Sequence, residues 1–297
     1  MSGTNHESSA DCDIRLFLSY LIDMDISTND NYFQEAKLEY IDTYNGGHIR
    51  ELILFDEDYY LSQRGSRIHN EMTPIRDYFE NGVKLRLSPH PIFDMGYIDS
   101  VIRSRNANSN IQLAPARGIS GSPVNPFSFI FSDEGGLASP NMLFSPILYE
   151  KCVQEHQDLL GFQIARNDVG RVNPVVHYLK NWSTFSEKGV LRMSEYFDPD
   201  FYSMSAQRSS ESIVDPMTHY FRSATRDRHD CNPKFHGGYY RHTYNIQKFD
   251  ALSHFVRFGA KKGFAPNPYA FDELGIAPSN LPEDVMDELL LSYVRLK

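Results

Sequence analysis

Phe197-Asp198-Pro199-Asp200-Phe201-Tyr202, followed by Asp215-Pro216-Met217-Thr218-His219-Tyr220-Phe221, is the phrase on which the reading of this chain turns. An earlier stretch repeats it: Phe55-Asp56-Glu57-Asp58-Tyr59-Tyr60-Leu61, then Thr73-Pro74-Ile75-Arg76-Asp77-Tyr78-Phe79. In both, the opening aromatic and the Pro lie 19 positions apart (55 to 74, 197 to 216). The second half recurs alone in Asn173-Pro174-Val175-Val176-His177-Tyr178-Leu179 and Asp250-Ala251-Leu252-Ser253-His254-Phe255-Val256. The first half recurs in Phe93-Asp94, Phe235-His236 and Phe271-Asp272. A degenerate copy runs from Asn125-Pro126-Phe127 to Phe144-Ser145-Pro146, with Phe129-Ile130 where the others have His-Tyr. Recurrence in one order, roughly every 35 to 50 residues, marks a tandem array.

Each half-phrase reads as a short helix. Asn173, Asp215 and Thr73 stand before Pro174, Pro216 and Pro74, an order that suits a helix start: the side-chain oxygen accepts an orphan N–H, and Pro at the first helical position has no N–H to lose. Asp250 does the same without a Pro. Apolar residues then fall at i, i+3 and i+4, as in Met217, Tyr220, Phe221 and Leu252, Phe255, Val256, giving one buried stripe. Gly82 and Gly259 are expected to close these helices in the left-handed conformation. In the first half-phrase Asp56, Asp198 and Asp272 are expected N-caps. Phe55 with Tyr60, and Phe197 with Tyr202, take the two positions of a hydrophobic staple. Neither helix is long enough to stand alone, so burial must come from neighbours. The fold class expected is all-α, an irregular tandem repeat of short helix pairs with long interrupting loops.

The boundaries follow from composition. Residues 1–12 read as a disordered polar tail and 13–51 as an N-terminal helical cap. Residues 52–275 form the array, with loop insertions near 103–125 and 132–140 where Ser, Asn, Gly and Pro gather. Residues 276–297 read as a C-terminal capping helix or linker. Aromatics make up 13% of the 297 residues, with a single Trp182, and such rings suit the joints between copies. The formal net charge of −10 argues against nucleic acid or an anionic membrane as partner. Cys12, Cys152 and Cys231 form no disulfide or zinc pattern. No secretory leader is visible, and the longest apolar run, Leu16 to Ile22, is too short to span a bilayer. A soluble, cytoplasmic protein without a membrane span is expected.

Three patterns could carry chemistry. Asp-x-Asp occurs at Asp11-Cys12-Asp13, Asp23-Met24-Asp25 and Asp198-Pro199-Asp200, and such a pair can hold a divalent cation against a nucleotide-sugar diphosphate. Asp23-Met24-Asp25 is the best placed, because it follows the apolar run Leu16 to Ile22, but the nucleotide-binding elements are expected to precede such a pair and only about 20 residues do; Asp198 is already explained as a helix cap. His177, His219 and His254 each lie two positions beyond the first residue of a stripe, about 200° around the helix. They are therefore expected opposite the core, bonding a backbone carbonyl or stacking on the next copy. With Trp182 they form the candidate surface for a partner or glycan. His229, His236 and His242 near Cys231 lack the paired-Cys half of a zinc site. No phosphate-binding or nucleophile-elbow motif occurs. No catalytic residue, metal ligand or cofactor is assigned.

The phrase Phe-Asp-x-x-Tyr-Tyr-Leu, then Pro-x-x-His-Tyr-Leu, resembles tandem repeats found beside glycosyltransferase domains in bacterial capsule, O-antigen and exopolysaccharide synthesis proteins. The resemblance is carried by Phe55 to Leu61, Pro74 to Gly82, Pro91 to Asp94, Pro174 to Leu179, Phe197 to Tyr202, Pro216 to Phe221, His254 to Gly259 and Pro268 to Asp272. It implies a setting in polysaccharide assembly, with a protein partner of that pathway such as a glycosyltransferase. The leading expectation is a non-catalytic repeat module that positions or regulates that machinery. Beside it stand a compact metal-dependent glycosyltransferase and a carbohydrate-binding module. Glycan binding requires exposed aromatics, whereas scaffolding requires them buried between elements.

Overall fold

A computed structural model describes residues 54–65, 74–108, 126–131, 138–160, 174–207, 215–222, 229–247, 249–277 and 281–296. These residues are all-α: 60% helical, with 1% strand and no sheet. The expected tail at 1–12 and helical cap at 13–51 lie outside the described residues, as do Thr73, Asn173 and the Asp-x-Asp pairs at 11–13 and 23–25.

The helices in order are α1 Glu57–Arg64, α2 Pro74–Asp77, α3 Met95–Asn108, α4 Pro126–Phe131, α5 Pro146–Glu155, α6 Pro174–Ser186, α7 Pro199–Gln207, α8 Pro216–Arg222, α9 Gly237–Tyr244, α10 Ala251–His254, α11 Ala270–Leu274 and α12 Glu283–Val294. α3 is helical through Asn108, so residues 103–108 are not part of the loop expected there; 109–125, and 132–137 of the second expected loop, lie outside the described residues. Two compact units divide the chain: Met1–Asn141 with Ala165–Lys180, and Met142–Ile164 with Asn181–Lys297.

Helix starts follow local chemistry. Asp56 Oδ1 accepts the Tyr59 N–H at 2.9 Å, Asp94 the Tyr97 N–H at 2.9 Å and Asp198 the Phe201 N–H at 3.0 Å. Ser145 Oγ and His236 Nδ1 do the same for Leu148 and Tyr239. The second helices are capped by Asp215, on Thr218 N–H, and Asp250, on Ser253 N–H, each at 2.8 Å. These bonds satisfy N–H groups that a helix leaves open at its first turn.

One ring arrangement is found once in the first unit and twice in the second. In the first, Phe55, Tyr60 and Tyr78 lie with centroids 5.5 to 5.9 Å apart, and the two tyrosines cross at 89°. In the second, Phe197, Tyr202 and Tyr220 lie 5.3 to 5.7 Å apart and cross at 87°. Phe235, Tyr240 and Phe255 lie 5.3 to 5.8 Å apart and cross at 90°. All nine rings are buried. Edge-to-face contact brings the positive rim of one ring onto the negative face of another, about 0.5–1.5 kcal/mol per pair beyond the burial itself. In the copy opened by Phe93 the slots hold Ile98 and Ile130, both fully buried.

A backbone bond joins each copy to the segment leading into the next. The N–H of the cap residue donates to a carbonyl: Asp56 to Pro89 (2.8 Å), Asp94 to Pro140 (3.0 Å), Ser145 to Met193 (2.7 Å), Asp198 to Cys231 (2.8 Å) and His236 to Pro266 (3.0 Å). The acceptor always lies four residues before the next opening residue: Phe93, Phe144, Phe197, Phe235 and, last, Ala270. The final copy therefore opens at Ala270 rather than at Phe271. Asp272 is inside α11, whose N-cap position is Tyr269 without a side-chain bond, so Asp272 is not the cap that the sequence suggests. A larger ring does not occupy the slot; Ala270 is fully buried there.

The residue after each acceptor braces the joint. Asn141 Nδ2 donates to Ile92 O (2.8 Å), Asn232 Nδ2 to Tyr196 O (2.7 Å) and Asn267 Nδ2 to Lys234 O (2.8 Å). Each receiving carbonyl immediately precedes an opening aromatic. His90 and Ser194 stand at the same position elsewhere, taking N–H groups of their own turns. In the second unit α12 runs along two joints: Asn232 also donates to Val294 O (2.8 Å), and Asn267 to Tyr293 Oη (3.1 Å). Leu296 N–H bonds Glu195 O at 2.7 Å. Met286, Leu290, Tyr293 and Val294 make the buried face of α12.

Candidate functional site

The polar groups nearest the ring clusters are the residues the sequence places opposite the core. Tyr202 Oη shares a 2.7 Å hydrogen bond with His219 Nδ1, and Tyr240 Oη a 2.8 Å bond with His254 Nδ1. Tyr60 Oη donates to Asp77 Oδ2 in the equivalent place. His219 and His254 thus face the first helix of their own copy, a correction to the outward position expected. The reason is geometric: the Tyr202 ring lies against both His219 (5.8 Å) and Tyr220 (5.7 Å), so the inward face is wider than the i, i+3, i+4 stripe. His177 is buried at 5% exposure, which also corrects its surface placement. Trp182 is half-buried on α6.

Where Asp77 replaces His, its charge is accommodated by neighbours. Arg64 Nε donates to it at 2.8 Å and Asn81 Nδ2 at 2.8 Å. Burial alone pushes the Asp77 carboxyl pKa up, but the hydrogen bonds from Arg64, Tyr60 and Asn81 outweigh it and hold the pKa below the usual value. Burial, reinforced by Asp77, raises the Tyr60 pKa, so its proton stays on the phenol. Burial lowers the His254 pKa, with Lys262 adding to the effect, so the imidazole is kept neutral.

Gly82 and Gly259 hold these locks in another way than expected. Neither has the positive φ of a left-handed cap. They end wide turns, Tyr78–Gly82 and Phe255–Gly259, in which Val83 N–H reaches Tyr78 O and Ala260 N–H reaches Phe255 O, five residues back. A Cβ on Gly259 would fall 1.9 Å from Tyr240 Oη, and one on Gly82 2.9 Å from Tyr60 Oη. Glycine is present because the tyrosine hydroxyl rests on its backbone.

The Asp-x-Asp at 198–200 is committed locally. Asp198 Oδ1 accepts both the Asp200 and Phe201 N–H groups, and Asp200 accepts the Ser186 hydroxyl at 3.1 Å. Burial pushes the Asp200 pKa up. His236 is a helix cap and Cys231 is buried in the joint. Among the described residues no three His, Cys, Asp or Glu side chains are grouped to hold a metal, and no helix is long and apolar enough to cross a membrane.

Comparison with protein-family models, curated proteins and solved structures finds no match. The residues that sequence reasoning missed are Asn141, Asn232 and Asn267, along with Arg64 and Asn81. The asparagines did carry a signal: each stands three positions before an opening residue, and two precede a Pro, at Asn232-Pro233 and Asn267-Pro268.

Proposed function

We propose that this chain is a non-catalytic repeat module that positions polysaccharide-synthesis machinery through protein contacts. The polysaccharide setting rests on the resemblance of its phrase to glycosyltransferase-associated repeats. The observation that carries the module reading is the recurrence of local chemistry along the chain: a ring arrangement found three times, a tyrosine lock made on Asp77, His219 and His254, and a backbone joint made five times. Catalysis requires unlike groups held around one point within about 0.5 Å of productive geometry. Repeated groups instead have a repeated job, which here is holding helices together. The burial of the repeat aromatics favours scaffolding over a glycan platform, since a ring inside a core has no face for a sugar.

The test is incubation of the full chain with UDP-, GDP- and dTDP-linked sugars and Mn²⁺, with released nucleotide measured. The expected result is no release above a heat-killed control. Turnover that disappears in Asp23→Ala or Asp198→Ala would replace the module with the metal-dependent glycosyltransferase.

A further inference from the structure

The copy closed by Gly259 differs from two others beside its lock. Three residues after its core ring Phe255 stands Phe258, where the copies built on Tyr78 and Tyr178 have Asn81 and Asn181. Phe258 packs on Phe249 (5.7 Å), and Phe249 is 36% exposed. The Arg241 guanidinium donates to Phe249 O at 2.9 Å, fixing that loop against α9. Phe258 also packs on His254 at 5.5 Å, where Asn81 instead donates to Asp77. Phe249 and Phe258 thus form an adjacent ring pair of which Phe249 is exposed.

Around the rings lie cations. Arg257 sits over Phe258 at 5.0 Å and Lys262 over Phe264 at 5.8 Å, with Lys261 exposed beside it. None of these three cations has an ion-pair partner among the described residues, although the whole chain carries a net charge of −10. Tyr244 stacks on Phe264 at 4.0 Å and 1°. Sugar rings stack on open aromatic faces; here a cation lies over Phe258, and a cation and the Tyr244 ring lie against Phe264. What remains accessible is positive charge flanking an apolar edge, and its complement is a segment carrying carboxylates next to apolar side chains.

We propose that Phe249, Phe258, Arg257, Lys261 and Lys262 form the docking surface for an acidic, apolar-bearing segment of a partner protein. This rests on the protein-contact reading above, but its failure would be read as loss of peptide binding, whereas failure of that reading would appear as nucleotide release. The experiment measures fluorescence anisotropy of the full chain with a labelled peptide alternating Glu with Leu and Phe. The same peptide with Lys for Glu, and an oligouronate of equal charge, serve as comparisons. The acidic peptide is expected to bind, more weakly as NaCl rises. Lys261→Glu with Lys262→Glu should reduce affinity about tenfold, and Phe249→Ser comparably, with unchanged helical circular dichroism. Failure of the acidic peptide to bind, or binding that these variants retain, overturns the proposal. So does oligouronate binding that the lysine variants abolish, which would assign the surface to an acidic glycan. Self-association that the same variants abolish in sedimentation equilibrium would assign it to a second copy, and equally overturn it.

Discussion

At Gly259 and Gly275 the same residue type answers two different demands, and substitution separates them. Gly259 has ordinary backbone angles but leaves no room for a Cβ, which would meet Tyr240 Oη at 1.9 Å. Gly275 closes α11 at φ 65 with open space around it. Gly259→Ala must push the tyrosine out of its bond with His254 and should cost about 1–3 kcal/mol or more. Gly275→Ala meets only backbone strain and should cost about 1 kcal/mol. Urea titration of both variants decides this; equal losses would contradict the close-approach reading of Gly259. A position where glycine is needed for its small size looks, in sequence, like one where it is needed for its angles. That is why the wide turns at 78–82 and 255–259 look, in sequence, like ordinary helix ends.

Histidine burial also gives a residue-scale prediction. His90 accepts the Ile92 N–H at 3.2 Å, and burial pulls its pKa from 6.5 down to about 3. Burial, with Lys180 adding to it, pulls His177 down to about 4. Above pH 6.5 both are neutral folded or unfolded and contribute no pH dependence. Below it the unfolded chain binds protons that the folded chain refuses, so stability falls as pH drops, for His90 until about pH 3. Each such proton is worth about 1.4 kcal/mol per pH unit across its window. Urea midpoints measured between pH 7 and 5 should decline in the wild type and decline less in His90→Gln. An identical slope in the two proteins would contradict this assignment.

At the scale of elements, the asparagine joints bind parts that are distant in sequence. Asn232 is 1% exposed and serves Tyr196 O and Val294 O with one amide. Asn232→Ala strands two buried carbonyls and should cost about 2–4 kcal/mol. Asn232→Asp has nearly the same shape, but at pH 7 turns a carboxylate toward those carbonyls and should cost at least as much. Chemical denaturation of both variants checks the order; an Asp variant as stable as wild type would mean the amide is not the donor. The caps at Asp56, Asp198, Asp215 and Asp250 are legible in sequence because a cap is completed within three residues. A joint spanning 36 or 62 residues is not, and neither is the Arg64–Asp77–Asn81 cluster, where one charge in the His position draws in two partners. The register of the last copy escaped for the same reason: Phe271-Asp272 looks like the opening phrase, but long-range bonds from His236 and Asn267 set Ala270 in the slot.

For the molecule as a whole, the all-α class was legible in the spacing of apolar residues and in the Pro and Asp helix starts. The histidine faces were not, because a helix wedged between neighbours buries more of its circumference than an isolated stripe implies. One joint is made five times, with the N–H of Asp56, Asp94, Ser145, Asp198 and His236 each held by the carbonyl four residues before the next opening. An N-cap amide has no partner inside its own helix and in an isolated helix exchanges freely with water. Native-state hydrogen exchange at these amides is therefore the most direct measurement. The account predicts that all five are protected to the level of neighbouring helix interiors; free exchange at these caps while the helix interiors stay protected would contradict it.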